Sequence, residues 1–193
     1  MYIPVIDNGG QWTHREWRLL RTLNVKTEIL PNTTDYKELE KRNVDALVLS
    51  GGSPRIEGEY GLLGELGNYI DELNIPMLCI CVSHQFLALH YKGKCGPAKV
   101  PSYGKNEIIV DNPERLFINL PSKFIVWESH NDEIKELPSE FELLAHSENC
   151  TFEAIKHKSR PIYGLQFHPE VENTQYGKEI FENFLKIVNN DDS

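Results

Sequence analysis

Three side chains in this sequence have the types needed for nucleophilic catalysis: Cys81, His168 and Glu170. Cys81 follows the apolar run Met77-Leu78-Cys79-Ile80 and precedes Val82-Ser83-His84-Gln85-Phe86-Leu87-Ala88-Leu89, which reads as helix. A thiol on a tight strand-to-helix turn is lifted out of its sheet, and the helix N-terminus beside it favours the thiolate. This is the nucleophile-elbow arrangement, with sulfur in place of a serine oxygen. A thiol also needs a base, and the base needs a group to orient it. In Gln166-Phe167-His168-Pro169-Glu170 the histidine and the glutamate are two apart on an extended stretch, so both emerge on one face. Glu170 can then accept a hydrogen bond from one ring nitrogen of His168 and leave the other to the thiol. Pro169 keeps that stretch out of a helix. A lone cysteine more often behaves as a small buried hydrophobe, and it is the junction and the two distant partners that single out Cys81.

The elements that must position these groups follow from the hydrophobic pattern. Ile3 to Ile6, Val25 to Leu30, Ala46 to Leu49 and Met77 to Ile80 read as buried strands. Helical patterns separate them: about His14 to Leu23, Tyr36 to Arg42, and a stretch between Leu62 and Leu73. Thr13 with Glu16 has the spacing of a capping box, and Trp12 with Trp17 that of a hydrophobic staple. His14, Arg15, Arg18 and Arg21 lie along one side of that helix and read as a solvated face. The rhythm is that of a parallel sheet with helices on both faces, whose ligands bind at the carboxyl ends of the strands. In the second half, Glu107 to Val110, Phe124 to Trp127 and Ile162 to Phe167 look like strands with no long helix between them, so antiparallel pairing is expected. A last helix, about Gln175 to Val188, carries an apolar stripe. A single domain over 1–188 is expected, with 189–193 a frayed polar tail.

Composition narrows the function classes. The 193 residues fit one domain with a sizeable core, and 20 basic against 29 acidic residues give a net charge of −9. That balance argues against a nucleic-acid partner, which calls for a basic patch or stripe. No segment approaches the roughly 20 apolar residues that span a bilayer, and no basic lead-in marks a signal peptide, so a cytoplasmic protein is expected. Cys79, Cys81, Cys95 and Cys150 lack the spacing of a zinc site, and free thiols with no bound metal are expected.

At this point the motifs resemble a known family. CICVSHQ is similar to the nucleophile motif of class I glutamine amidotransferases, G-x-C-x-G-x-Q. QFHPE resembles the family's histidine–glutamate motif, and Ser50-Gly51-Gly52 its oxyanion loop. DNGGQ, Asp7 to Gln11, and WESHND, Trp127 to Asp132, resemble one branch in particular, a glutaminase that works with a separate synthetase subunit. The motifs occur in the family's order across essentially the whole chain.

The resemblance implies a three-layer α/β/α fold, flavodoxin-like, with a central mostly parallel sheet and antiparallel strands in the second half. It implies that Cys81 is the nucleophile, His168 the base and then acid, and Glu170 the orienting carboxylate. Backbone N–H groups of Gly52 and Val82 would form the oxyanion hole, and Gly51, Gln85, Ser129 and His130 would bind the substrate, glutamine. The partner would be an ATP-pyrophosphatase subunit carrying ATP, magnesium and xanthosine monophosphate, and this chain would need no cofactor. No G-x-x-x-x-G-K-[ST] segment occurs in it. Two motif glycines are replaced, by Cys79 and Ser83, and Ser53-Pro54 follows SGG where the family has proline directly. Both replacements are small, so the elbow is expected to form with some strain. Three other readings stay open: a glutaminase serving another synthase, a hydrolase of γ-glutamyl peptides, and a silent binding protein.

Overall fold

A computed structural model describes residues 1–190. The first four strands, β1 (Val5–Asn8), β2 (Ile29–Pro31), β3 (Leu47–Gly52) and β4 (Met77–Ile80), alternate with α1 (Thr13–Thr22), α2 (Tyr36–Lys41), an irregular turn α3 (Ile56–Glu59), a 3₁₀ turn and α4 (Leu66–Glu72). After α5 (Val82–His90) the chain turns to strands: β5 (Lys94–Val110), β6 (Lys123–Glu136), β7 (Phe141–Ser147), β8 (Ala154–His157) and β9 (Ile162–Leu165). The final helix is α6 (Gly177–Asn189). The helix thus takes in Asn189, the first residue of the expected tail, and 191–193 lie outside the described residues.

The nine strands among the described residues form one sheet in the order β2-β1-β3-β4-β9-β8-β7-β5-β6. The first five in that order pair parallel and the remainder antiparallel. The two halves follow from how the strands are joined. Helical crossovers return the chain in the same direction, whereas short turns reverse it. β9 is the seam: it comes late in the chain yet inserts beside β4, which carries the sequence after it to the nucleophile's side.

Strand residues alternate between the sheet's two faces. Val5, Val48, Leu78, Ile80 and Leu165 pack with Leu20 of α1 and Ile180, Phe181 and Phe184 of α6. Ile6, Leu47, Leu49, Met77 and Cys79 pack on the opposite face with Leu39, Leu66, Ile70 and Leu87 of α2, α4 and α5. The result is the expected three layers. Helix ends and strands match the pattern within a few residues, except that Val25 to Leu30 supplies only the short β2 and the strands of the second half run longer. No helix among the described residues is long and apolar enough to cross a membrane.

The start of α1 departs from the expected caps. Trp12 is the N-cap and Thr13 the first helical residue, without a side-chain cap bond. The Thr13 hydroxyl donates instead to the Asp7 carboxylate at 3.0 Å, while the Trp12 ring stands edge-on to His168 with centroids 4.6 Å apart. Trp17 packs with His14 and under Arg21. Glu16 is only 1% exposed and lines the cavity described below, so its carboxyl faces inward rather than back to the cap.

Candidate active site

β4 stops at Ile80 and α5 begins at Val82, which leaves Cys81 alone to make the turn. It does so at φ +53°, ψ −107°, a conformation L residues seldom adopt and one that stores strain. Its N–H donates to Leu165 O at 2.7 Å, so the backbone stays tied to β9 while the side chain leaves the sheet at its carboxyl edge. The thiol lies 3.8 Å from Ser129 O and 3.7 Å from Gln166 Nε2. The elbow expected from the pattern is present.

His168 Nδ1 donates to Glu170 Oε1 at 2.7 Å, which leaves Nε2 for the thiol. Burial works against a charge on this imidazole, but Glu170 and then Cys81 outweigh it and raise its pKa well above the ordinary value. The backbone of His168 is pinned as well. Its N–H donates to Trp127 O at 2.9 Å, and its carbonyl accepts from the Thr174 hydroxyl at 2.6 Å. An imidazole so held beside a thiol supports a thiolate–imidazolium pair, the reactive form of a catalytic cysteine.

The glycines of SGG have steric reasons. A Cβ at Gly51 would stand 3.0 Å from His168 Cε1, and one at Gly52 would stand 2.4 Å from Asn8 O. The two substituted motif positions are accommodated differently. Cys79 is fully buried in the β4 core, and burial pushes its thiol well up. The Ser83 hydroxyl donates to Ser50 O at 2.7 Å and accepts from Asn8 Nδ2 at 3.0 Å, tying α5 to the ends of β3 and β1. Ser53 and Pro54 line the cavity wall next to Gly52.

All nine residues singled out by sequence line one cavity of about 360 Å³: Cys81, His168, Glu170, Gly51, Gly52, Val82, Gln85, Ser129 and His130. Gln85 is buried; its Nε2 donates to Asp132 O at 2.7 Å and to Gln166 Oε1 at 3.1 Å. His130 Nδ1 donates to Asp132 O at 3.0 Å, and its Nε2 lies 3.4 Å from Glu128 Oε2. Beneath it, burial opposes charge on Glu128, but bonds from His130, Glu153, Ser102 and Asn106 hold that carboxyl down at about 2. Burial, and then Glu128 itself, push Glu153 well up, which favours its protonated form.

Several cavity residues lie beyond those the sequence singled out. Gln166 bridges Gln85 and the thiol. Arg55 reaches over from α3's N-cap and clasps the Asp132 carboxylate through Nε at 2.7 Å and Nη2 at 2.6 Å. The Trp12 ring stands edge-on to the imidazole, and Glu16 lines the same cavity. Gln166 and Asp132 sit inside the motifs QFHPE and WESHND, which is the signal that could have found them; Arg55 and Glu16 carry no such signal. The remaining thiols Cys95 and Cys150 are free, and burial raises both, Cys95 to about 12. Among the described residues no group of three or more His, Cys, Asp or Glu side chains could hold a metal ion.

Comparison with known proteins gives the family and the fold. The family model for class-I glutamine amidotransferases matches residues 4–188. Among relatives, a protein of Thermoplasma acidophilum named as one of the subunits of glutamine-hydrolyzing GMP synthase is 54% identical over 185 residues, 96% of this chain and 92% of the relative. The protein of the same name from Methanocaldococcus jannaschii is 46% identical, with 96% of each chain covered. A crystal structure of a Thermoplasma acidophilum protein superposes with a TM-score of 0.93 at 53% identity, covering 98% of this chain and 94% of that one. A glutamine amidotransferase from Thermotoga maritima has the same fold, with a TM-score of 0.82 at 18% identity and 97% of each chain covered.

Proposed function

The chain belongs to the class I glutamine amidotransferases, and from that premise we propose that it is the glutaminase component of a two-subunit GMP synthase. Its ammonia passes to an ATP-pyrophosphatase subunit, which binds ATP and magnesium and aminates xanthosine monophosphate to GMP. This chain needs no cofactor of its own, and the pair works in the cytoplasm.

The Cys81 thiolate attacks the side-chain amide carbon of glutamine, forming a C–S bond and moving the carbonyl electron pair onto oxygen. Backbone N–H groups of Gly52 and Val82 hold that oxyanion; such donors are typically worth about 3 kcal/mol each in the transition state. The His168 imidazolium protonates the leaving nitrogen, the C–N bond breaks, and ammonia departs. His168 then takes a proton from water, whose oxygen attacks the γ-glutamyl thioester. The C–S bond breaks and glutamate leaves, restoring the thiolate and imidazolium. Gly51, Gln85, Ser129 and His130 shape the glutamine pocket.

The observation that carries this reading is the strained Cys81 turn facing an imidazole whose Nδ1 is committed to Glu170. Its test is glutamate release from glutamine, with and without the ATP-pyrophosphatase subunit, ATP and xanthosine monophosphate. Stimulation by the loaded partner, lost in Cys81→Ala, is the expected result. A rate indifferent to the partner would point to another synthase or a free hydrolase, and no glutamate from folded protein would mean a silent binding protein.

A further inference from the structure

The cavity wall carries a carboxyl that these steps leave unused. Glu16 lies on the buried side of α1 with Thr13 and Leu20, a place where an apolar residue would pack without cost. It lines the same cavity as Cys81 and His168, and its Oε2 is buried with no hydrogen-bond partner among the described residues. Glu170 Oε2, in the same wall, is equally without one. The groups that face Glu16 come from three segments: the Gly51 N–H from β3, Asp7 from β1, and His168 with Glu170 from the stretch after β9. Cys81 also acts on His168.

We propose that Glu16 is a positioning residue of the glutaminase site, a second carboxyl that sets the net charge against which the Glu170–His168 pair works. The proposal rests on the thiol–imidazole reading above. Burial, and then the charge on Glu170, hold the Glu16 carboxyl well above the usual carboxylate range, while His168 and the Gly51 N–H pull it down. While Glu16 holds its proton it adds no charge beside the imidazolium. As Glu16 ionises at higher pH, a second negative charge arises there and carries the imidazolium to still higher pH. The acid limb of activity, where Glu16 is still neutral, does not depend on it.

The test is the pH profile of kcat/KM for glutamate release by the wild type, Glu16→Gln and Glu16→Leu. Both variants should move the alkaline limb down by about half a pH unit or more and leave the acid limb in place. A profile that only scales down, with both limbs unmoved, would overturn the proposal and leave Glu16 a packing residue. Should the variants fail to fold, the imidazole ¹⁵N signals of His168 in the wild-type protein decide instead. A two-step titration supports the coupling, and a single step defeats it. That measurement needs no glutamine, so its failure is separate from a failure of the glutaminase reading, which Cys81→Ala tests.

Discussion

His168 and His130 stand on two walls of one cavity, each with a carboxylate behind it, and only His168 keeps a nitrogen for chemistry. His168 spends Nδ1 on Glu170 at 2.7 Å and turns Nε2 to the thiol. His130 spends Nδ1 on the Asp132 carbonyl and aims Nε2 at Glu128, so both of its nitrogens serve the wall. A third imidazole, His84, is fully buried on α5, donates Nε2–H to Phe152 O at 2.9 Å, and is driven by burial down to about 3. A histidine–carboxylate pair is therefore not in itself a catalytic device. What matters is which nitrogen the carboxylate leaves free and what stands opposite it.

Breaking the pair at its reactive end should have the largest effect. Cys81→Ala removes the covalent route, and glutamate release measured by a coupled assay should fall to background. His168→Ala should lower kcat by roughly 10²- to 10⁴-fold, the usual worth of a positioned acid–base group. His130→Ala should act mainly through KM, and equal losses of kcat in the two variants would erase the distinction drawn here. A labelling experiment sharpens it further. Glu170 and Cys81 raise the His168 pKa, so the imidazole more readily carries a positive charge beside the thiol, which favours the thiolate. Iodoacetamide labelling of Cys81 at neutral pH should slow in His168→Ala and keep its wild-type rate in His130→Ala. The smallest effect belongs to the frame beneath both walls. Ser83→Ala leaves Asn8 Nδ2 with one acceptor fewer and should cost about 1–2 kcal/mol in urea unfolding, with little change in kcat.

The elbow is legible in the sequence because it is written contiguously: an apolar strand, one cysteine, then a helix. His168 and Glu170 are legible because an extended pair around proline has a single geometry. The caps of α1 are not. Thr13 and Glu16 have capping-box spacing, but a local motif is overridden when its side chains lie against a buried site, and here Asp7 claims one while the cavity holds the other. Gln85 shows the same limit, since a polar residue early in a helix gives no sign that it braces Asp132 and Gln166 from beneath. For Ser83 the sequence says only that the side chain is small enough. That its hydroxyl fastens α5 to two strand ends depends on Asn8 and Ser50, distant in the chain.

By itself the sequence determined the layered α/β class, the strand-to-helix junction at Cys81 and the residue types able to form a triad, because each rests on periodicity or on neighbours within a few residues. The tertiary structure decided the rest. It set β9 beside β4, so that His168 meets a thiol 87 positions away in number but one strand over in space. It sorted three histidines into one that can work and two that are held, and it buried Glu16 and Arg55's partner Asp132 around them. Those outcomes depend on desolvation and on hydrogen bonds between remote segments, which no local pattern encodes.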